Sequence, residues 1–362
     1  GKYSKKSGVA RINPKGQSEQ LLYLDKRINS LRKAKAADTF MYLSQDFENS
    51  PNIFVTDAHF STPKQVTHLN SFQENYAWGR SELINFQSTA GKDLQAALFY
   101  PANYDPLKKY PMIVYTYELV SQNVHRYYVP DEQSLYNFST FTSEGYFVLA
   151  PDIVYRPRDP GRSALESVEK AVQKVLESGK IDPKAVGLIG HSWGGYQATY
   201  IPTQTDIFAA SIAGAPITNF LSFMGAIHWN PGFPEVDHWE TGQARMEVPY
   251  WEDFEAYVRN SPAAFISQLK TPMLMAFGDK DGVVDWHQGV EFYNFARRAG
   301  REDFVLLVYP GEDHGIAGEA HRKDYNQRIR AWFAHYLKGA EMADWIKEGV
   351  SFQKRKEFLE EN

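Results

Sequence analysis

The segment Gly190-His191-Ser192-Trp193-Gly194-Gly195-Tyr196 sets a serine two residues after one glycine and two residues before another. The apolar run Ala185–Ile189 precedes it and reads as a strand; the residues after it read as a helix. A serine on so tight a strand-to-helix turn is forced into strained backbone angles that expose its Oγ. The flanking positions must lack Cβ for the turn to close. The following helix aims its positive end at the serine, and the Trp193 N–H is a candidate donor to a developing oxyanion. The competing explanation is a glycine-rich connector whose serine caps the helix. The strand before and the helix after argue for the nucleophile.

Serine at its ordinary pKa is a poor nucleophile and needs a base within hydrogen-bond reach. Two later loops offer an acid and a base, each after an apolar strand. Met273–Phe277 runs into Gly278-Asp279-Lys280-Asp281-Gly282, and Phe304–Val308 runs into Tyr309-Pro310-Gly311-Glu312-Asp313-His314-Gly315. The order Ser, Asp, His is that of α/β-hydrolases. His314 would take the Ser192 proton through Nε2, and an Asp would hold Nδ1–H. Asp281 is favoured over Asp279, which could accept backbone N–H groups in a turn, and over Asp285, which reads as a helix N-cap. His287 and His321 fall on or beside expected helices and read as surface or packing residues.

Other chemistries find less support. Asp279-Lys280-Asp281-Gly282 resembles the middle of a calcium loop, but that register puts Phe277 and Gln288 at two obligatory oxygen-ligand positions. None of the 10 histidines lies in H-E-x-x-H. No metal and no cofactor is expected. The absence of cysteine excludes disulfides, thiolate metal sites and cysteine nucleophiles. A net charge of −5 makes the chain a poor candidate for wrapping nucleic acid. It has no apolar stretch of about 18 residues, so no membrane span is expected. Gly1 to Ala10 carry three lysines and no apolar core, unlike a secretory leader. The chain opens on Gly1 rather than Met, so the start is expected to be processed, engineered or truncated. Cytoplasm and bacterial periplasm both stay open as compartments, as does the oligomeric state.

These loops must be positioned by a framework, and its pattern is legible. From Glu82 onward a hairpin, Leu83–Gln87 with Leu94–Tyr100, is followed by alternating strands and helices. Met112–Tyr117 and Tyr146–Ala150 read as strands. Val168, Ala171, Val172, Val175 and Leu176 share one helical face, as do Ile329, Trp332, Phe333, Tyr336 and Leu337, and Asp285–Ala299 reads as a helix. Such alternation implies an α/β fold with a mostly parallel sheet covered on both faces, with chemistry at the carboxyl ends of the strands. Residues 1–80 differ. Leu21–Leu24, Thr39–Leu43, Ile53–Thr56 and Gln65–Leu69 read as short antiparallel strands separated by turns. They would supply one to two β-propeller blades at roughly 40–45 residues each, against the four to eight or so that close a propeller. The 43 % apolar content is ample for a core, and the 15 % aromatic share favours strands and pocket walls. The expected division is a partial propeller over 1–80, an α/β-hydrolase domain over 81–345 and a tail over 346–362.

The three motifs, Gly190-His191-Ser192-Trp193-Gly194-Gly195-Tyr196, Gly278-x-x-Asp281-x-x-Val284 and Asp313-His314-Gly315, resemble the prolyl oligopeptidase family, which includes dipeptidyl and acylaminoacyl peptidases. The likeness covers about residues 82–340. It implies an α/β-hydrolase domain joined to an N-terminal β-propeller, most of which would lie outside this chain. It implies Ser192 as nucleophile, Asp281 as orienting acid and His314 as base. It also implies a tyrosine hydroxyl as second oxyanion donor, matched by Tyr117 at the end of Tyr110–Tyr117, with Tyr115 in reserve. An apolar pocket for the residue before the scissile bond would be formed by Ile217, Phe220, Phe223 and Ile227, which follow Gly214-Ala215-Pro216. The sequence departs from the family in Glu118-Leu119 after Tyr117, where relatives often carry Gly-Gly-Pro. It departs again at Phe220 and Phe223, where proline-specific dipeptidyl peptidases carry Trp and Tyr. Pro202 should end or kink the helix after Ser192. The expected function is hydrolysis of short peptides by a serine peptidase. The alternatives are a carboxylesterase and a non-catalytic binding scaffold.

Overall fold

The computed structural model describes residues 3–349. Its first elements are β1 (Ser7–Ile12) and β2 (Ser18–Leu24), an antiparallel hairpin. Then come β3 (Arg27–Lys33), β4 (Thr39–Gln45), β5 (Asn52–Asp57) and β6 (Lys64–Gln65), a four-stranded antiparallel sheet in sequence order. The main body follows with β7 (Ser81–Gln87), β8 (Asp93–Phe99), β9 (Tyr110–Tyr115), α1 (Phe138–Ser143), β10 (Phe147–Pro151), α2 (Pro160–Leu176), β11 (Ile181–His191), α3 (Trp193–Tyr200) and β12 (Ala210–Gly214). An inserted segment holds α4 (Phe220–Met224), the two-residue strands β13 (Ile227–His228) and β14 (Phe233–Pro234), α5 (Val236–Glu240) and α6 (Phe254–Asn260). The chain then returns through β15 (Met273–Gly278), α7 (His287–Arg298), β16 (Phe304–Tyr309), α8 (Glu319–Lys338) and α9 (Asp344–Lys347).

Eight strands form one sheet in the order β16-β15-β12-β11-β9-β10-β8-β7. The pairs from β16 to β10 are parallel; β8 and β7 add an antiparallel edge. Strands covered on both faces read as continuous apolar runs, and Met112, Ile113 and Val114 of β9 and Leu274 and Met275 of β15 have no exposed surface. One face packs against α8 through Ile329, Trp332 and Phe333. The other packs against α2 through Val168, Ala171, Val172 and Val175. Each Val, Ile or Phe among them contributes about 1.5–3 kcal/mol when fully buried.

Local chemistry sets the helix ends. Pro160 opens α2, the Asn137 side chain accepts the Thr140 N–H at the start of α1, and Gly339 closes α8 at φ 70°. Pro202 ends α3 as expected: the helix stops at Tyr200 and continues only as a 3₁₀ turn, Ile201–Thr203.

Several expectations change. Residues 3–80 hold six strands rather than four, because β1 and β3 are polar and half-exposed and lack an apolar signature. The strand expected over Gln65–Leu69 shortens to Lys64–Gln65. Beyond it the Asn52 side chain takes the Leu69 N–H at 2.9 Å and the Thr67 hydroxyl at 3.0 Å, replacing the ladder. Strand β12, Ala-Ser-Ile-Ala-Gly, was hidden by its small residues. Helix α7 begins at His287 with Trp286 as N-cap; the Asp285 carboxylate accepts the His287 N–H at 3.0 Å. Of the tail expected over 346–362, Ile346 is buried on α9, and 350–362 lie outside the described residues. No helix of the described residues is long and apolar enough to cross a membrane.

The sheet holds its central strand against α8 through a close approach. A Cβ on Gly187 of β11 would lie 2.6 Å from Phe333 Cε1. Phe333→Ala should therefore open a cavity directly over β11 and lower unfolding stability by about 3–5 kcal/mol, measured by urea denaturation.

Candidate active site

Strand β11 enters the turn at His191, and α3 leaves it at Trp193. Ser192 sits between them at φ 59°, ψ −120°, in a region that side chains other than glycine seldom occupy. The surroundings enforce it. The Ser192 N–H donates to the Gly214 carbonyl at 2.8 Å, and its carbonyl accepts the Tyr196 N–H at 2.9 Å. A Cβ on Gly190 would lie 2.2 Å from the Gly194 oxygen, and one on Gly194 would lie 2.2 Å from the Thr116 oxygen. Both glycines are thus required by close backbone approach, as the motif predicts. As first residue of α3, Trp193 has no helical acceptor for its amide, which is left for an anion at the helix start.

The acid and base loops leave neighbouring strands, β15 and β16. Asp281 has a side chain with no exposed surface, and both its oxygens face His314 Nδ1, at 3.1 and 3.0 Å. Asp281 Oδ1 also accepts the N–H groups of Val283 and Val284 at 2.9 and 2.8 Å, which fixes the carboxylate. The His191 ring, next to Ser192, stands 4.8 Å from the His314 ring. The Ser192 hydroxyl is half-exposed and has no hydrogen-bond partner among the described residues, so the link from hydroxyl to imidazole is not closed in this structure.

The competing residues are engaged elsewhere. Asp279 accepts the Gly311 N–H at 2.7 Å, bracing the two loops. Asp285 lies 2.6 Å from His287 Nδ1, and His321 lies 2.6 Å from Glu312. Asp313, part of the Asp313-His314-Gly315 motif, has no role assigned from the sequence. It accepts the Gly282 N–H at 2.9 Å and the His314 N–H at 2.6 Å, so it ties the acid loop to the base loop. Burial pushes its carboxyl up, but these donors outweigh burial and hold it below the usual carboxylate range.

Tyr117 lies just beyond β9, and its ring passes over the elbow: a Gly194 Cβ would be 3.3 Å from Tyr117 Cδ2. Its hydroxyl accepts from Gln243 Nε2 at 3.4 Å. Its carbonyl accepts the Tyr155 hydroxyl at 3.1 Å and also the Gln197 amide. Gln197 Nε2 donates to Tyr155 Oη at 2.6 Å, and Trp193 Nε1 donates to the same oxygen at 3.0 Å. Helix α3 therefore clamps the backbone of Tyr117. Gln197 and Tyr155 escaped the sequence reading; the available signal was a single amide side chain within the run Trp193–Tyr200 that follows the candidate nucleophile. Tyr115 instead packs among Tyr136 and Phe138, and burial pushes its hydroxyl pKa up. Glu118, where the family motif departs, pairs with Arg245 at 3.1 Å, and that guanidinium covers the Tyr155 ring at 4.2 Å.

The expected pocket residues take two kinds of place. Phe220 and Phe223 are 0 % and 2 % exposed, with ring centroids 4.6 and 4.9 Å from Trp239. In this structure they are packed core beneath Trp239 rather than open wall. Ile217 is likewise buried, whereas Ile227 on β13 is half-exposed.

A serine on a nucleophile elbow, an Asp–His pair from the next loops and a sheet of this order define an α/β-hydrolase. The profile of the prolyl oligopeptidase family matches residues 132–340, more than half of the chain, and the chain belongs to that family. It is 30 % identical over 196 residues to the mouse (Mus musculus) acylamino-acid-releasing enzyme, covering 51 % of this chain and 25 % of that one. It is 24 % identical over 292 residues to the uncharacterized peptidase YuxL of Bacillus subtilis (strain 168), covering 76 % and 42 %. Among solved structures, Pyrococcus horikoshii acylaminoacyl peptidase superposes with a TM-score of 0.72 at 17 % identity, over 93 % of this chain and 54 % of that one. The chain thus spans from a quarter to less than half of the length of these curated relatives.

The setting of His191 has a consequence for stability. Burial, reinforced by the His314 ring, pushes its pKa down to about 3. An unfolded histidine titrates near 6.5, so between about pH 3 and 6.5 the unfolded chain binds a proton that the folded chain refuses. Stability should fall as pH drops through that window, by up to about 1.4 kcal/mol per unit from this group. Urea denaturation of wild type and His191→Gln between pH 4 and 7 should show a shallower slope in the variant.

Proposed function

We propose that the protein is a serine peptidase that cleaves short peptides through an acyl-enzyme, with an apolar or small residue on the acyl side. The observation that carries this reading is His314 Nδ1 facing both oxygens of buried Asp281, with the His314 ring 4.8 Å from that of His191, the residue before a serine held at φ 59° on the elbow. Ser192 Oγ attacks the peptide carbonyl while His314 Nε2 takes its proton. Asp281 holds Nδ1–H and stabilises the imidazolium. The open hydroxyl–imidazole link closes when substrate is bound, since catalytic hydrogen bonds are often long without it. The tetrahedral oxyanion takes the Trp193 N–H and the Tyr117 hydroxyl. Imidazolium then protonates the departing amine as the C–N bond breaks. Water attacks the resulting ester, losing its proton to His314, and Ser192 leaves with that proton restored.

The likeness to the mouse acylamino-acid-releasing enzyme supports an acyl-transfer chemistry of this kind. For the acyl-side residue, half-exposed Ile227 would line the near wall, and the buried Ile217, Phe220 and Phe223 would be reached only if the packing around them opened. Residues 81–345 would form the catalytic domain. The four-stranded antiparallel sheet β3–β6 supports reading residues 1–80 as blade structure of a propeller.

Ser192→Ala should lower kcat on chromogenic dipeptide anilides on the order of 10⁶-fold; a loss under tenfold would refute the reading. Tyr117→Phe should lower kcat by on the order of 10²–10³-fold with little change in KM. The wild-type ratio of kcat/KM for a p-nitrophenyl ester against an aminoacyl anilide separates peptidase from esterase. A preference for the ester above ~100-fold, about 2.7 kcal/mol, would assign the same machinery to esters.

A further inference from the structure

The inserted segment between α4 and α6 holds a cluster that the proposed chemistry does not use. Glu235 precedes α5 and its side chain has no exposed surface. His238 lies three residues later on the same short helix, with Nδ1 2.8 Å from Glu235 Oε2. His228 comes from β13, with Nδ1 3.1 Å from Glu235 Oε1. The donor atoms of the three side chains all lie within 4.8 Å of one another.

Backbone bonds bring these residues together. Gly232, at φ 80°, donates its N–H to the His228 carbonyl at 2.9 Å and closes the β13–β14 hairpin. The Glu235 N–H donates to the Ala226 carbonyl at 3.1 Å, which folds the start of α5 back under that hairpin. The carboxylate is left in an unusual position. A fully buried carboxylate is expensive unless paired and hydrogen-bonded. No lysine or arginine among the described residues pairs with Glu235, and Oε1 makes no well-directed hydrogen bond. Its neighbours are two half-exposed imidazoles, both turning Nδ1 toward it.

We propose that His228, Glu235 and His238 bind a divalent transition-metal ion of the zinc class. Two imidazoles and one carboxylate are a familiar three-ligand set for zinc, with a fourth position left to water. Zinc at about 2.0–2.2 Å from each ligand atom would need separations of roughly 3.2–3.6 Å in a tetrahedron. The present distances, from 2.8 to within 4.8 Å, bracket that range, so small side-chain rotations suffice. Two nitrogen donors argue against calcium and magnesium, which take oxygen ligands. The ion would supply the positive charge that buried Glu235 lacks.

Its place gives it a structural task. Asn230, at the tip of the same hairpin, donates its N–H to the Gly282 carbonyl at 3.0 Å and its side-chain amide to Asp313 at 3.2 Å. Those residues adjoin Asp281 and His314. A cation at the base of the hairpin would brace the insert against both loops. The sequence search for H-E-x-x-H missed this site because its first histidine lies on a separate strand and Glu235-x-x-His238 alone is too short to signal.

The test uses the untagged chain, stripped with chelator and titrated at pH 7.5 with zinc chloride in competition with a fluorescent zinc indicator. The proposal expects one equivalent bound with micromolar or tighter affinity, and a higher Tm with zinc present. Cobalt(II) should give the visible absorption of a four-coordinate ion. His228→Ala and His238→Ala each take a partner from buried Glu235, and circular dichroism verifies that the variants still fold. Each should weaken zinc binding on the order of 100-fold or more, while His59→Ala, a change at an exposed histidine, should not. Failure of the wild-type protein to compete with the indicator would overturn the proposal, as would zinc affinity that persists in the double variant His228→Ala/His238→Ala. The outcome is independent of peptidase activity, because binding is read directly.

Discussion

The arrangement depends on one strained residue. Ser192 keeps a positive φ because β11, α3 and the end of β12 converge on it more closely than any side chain at Gly190 or Gly194 would permit. Such strain persists only where the surroundings over-determine it. Here the determinants are backbone carbonyls, of Gly194, Thr116 and Gly214, which cannot yield without pulling strands apart. The parallel sheet is therefore more than a support. Its central register, with Ile189 of β11 beside Ile212 of β12 and Tyr115 of β9, sets the elbow's position.

Around that point the structure relies on short ties between loops. Asp313 and Asp279 each accept a backbone N–H from the opposite loop, so the carboxylate and the imidazole are positioned as a unit rather than singly. On the other side, Gln197 and Tyr155 hold the carbonyl of Tyr117, coupling α3 to the end of β9. The insert between α4 and α6 joins the same system through Asn230. Polar groups with several fixed partners in a low-dielectric setting are the ones that hold geometry best. That also explains why Glu235, with only two imidazoles beside it, stands out.

Much of this was legible in the sequence for physical reasons. Glycines at close approaches and apolar runs in strands are strong signals; β9, β10, β11 and β15, inside the sheet, and the apolar edge strand β16 were all visible that way. The Ser, Asp, His order pointed to the loops where the structure sets Asp281 against His314. What stayed hidden follows rules of its own. Strand β12 consists of small residues because α3 packs close above it, so it carries no apolar pattern. Strand β3 is polar on a half-exposed sheet. Phe220 and Phe223 look like pocket aromatics by position, yet their burial depends on Trp239, a residue far enough along the chain that spacing says nothing about it. Likewise Gln197, Tyr155 and the His228–Glu235–His238 cluster arise only when separate segments meet.

Whether Ser192 is an activated nucleophile is read most directly by covalent capture. The folded protein would be treated with a fluorophosphonate, digested and mapped by mass spectrometry, alongside Asp281→Asn. A single adduct on Ser192 is expected, approaching one per chain and forming much more slowly when Asp281 can no longer hold the imidazole. An unlabelled Ser192 in folded protein, or an adduct elsewhere that forms equally fast in the variant, would contradict it.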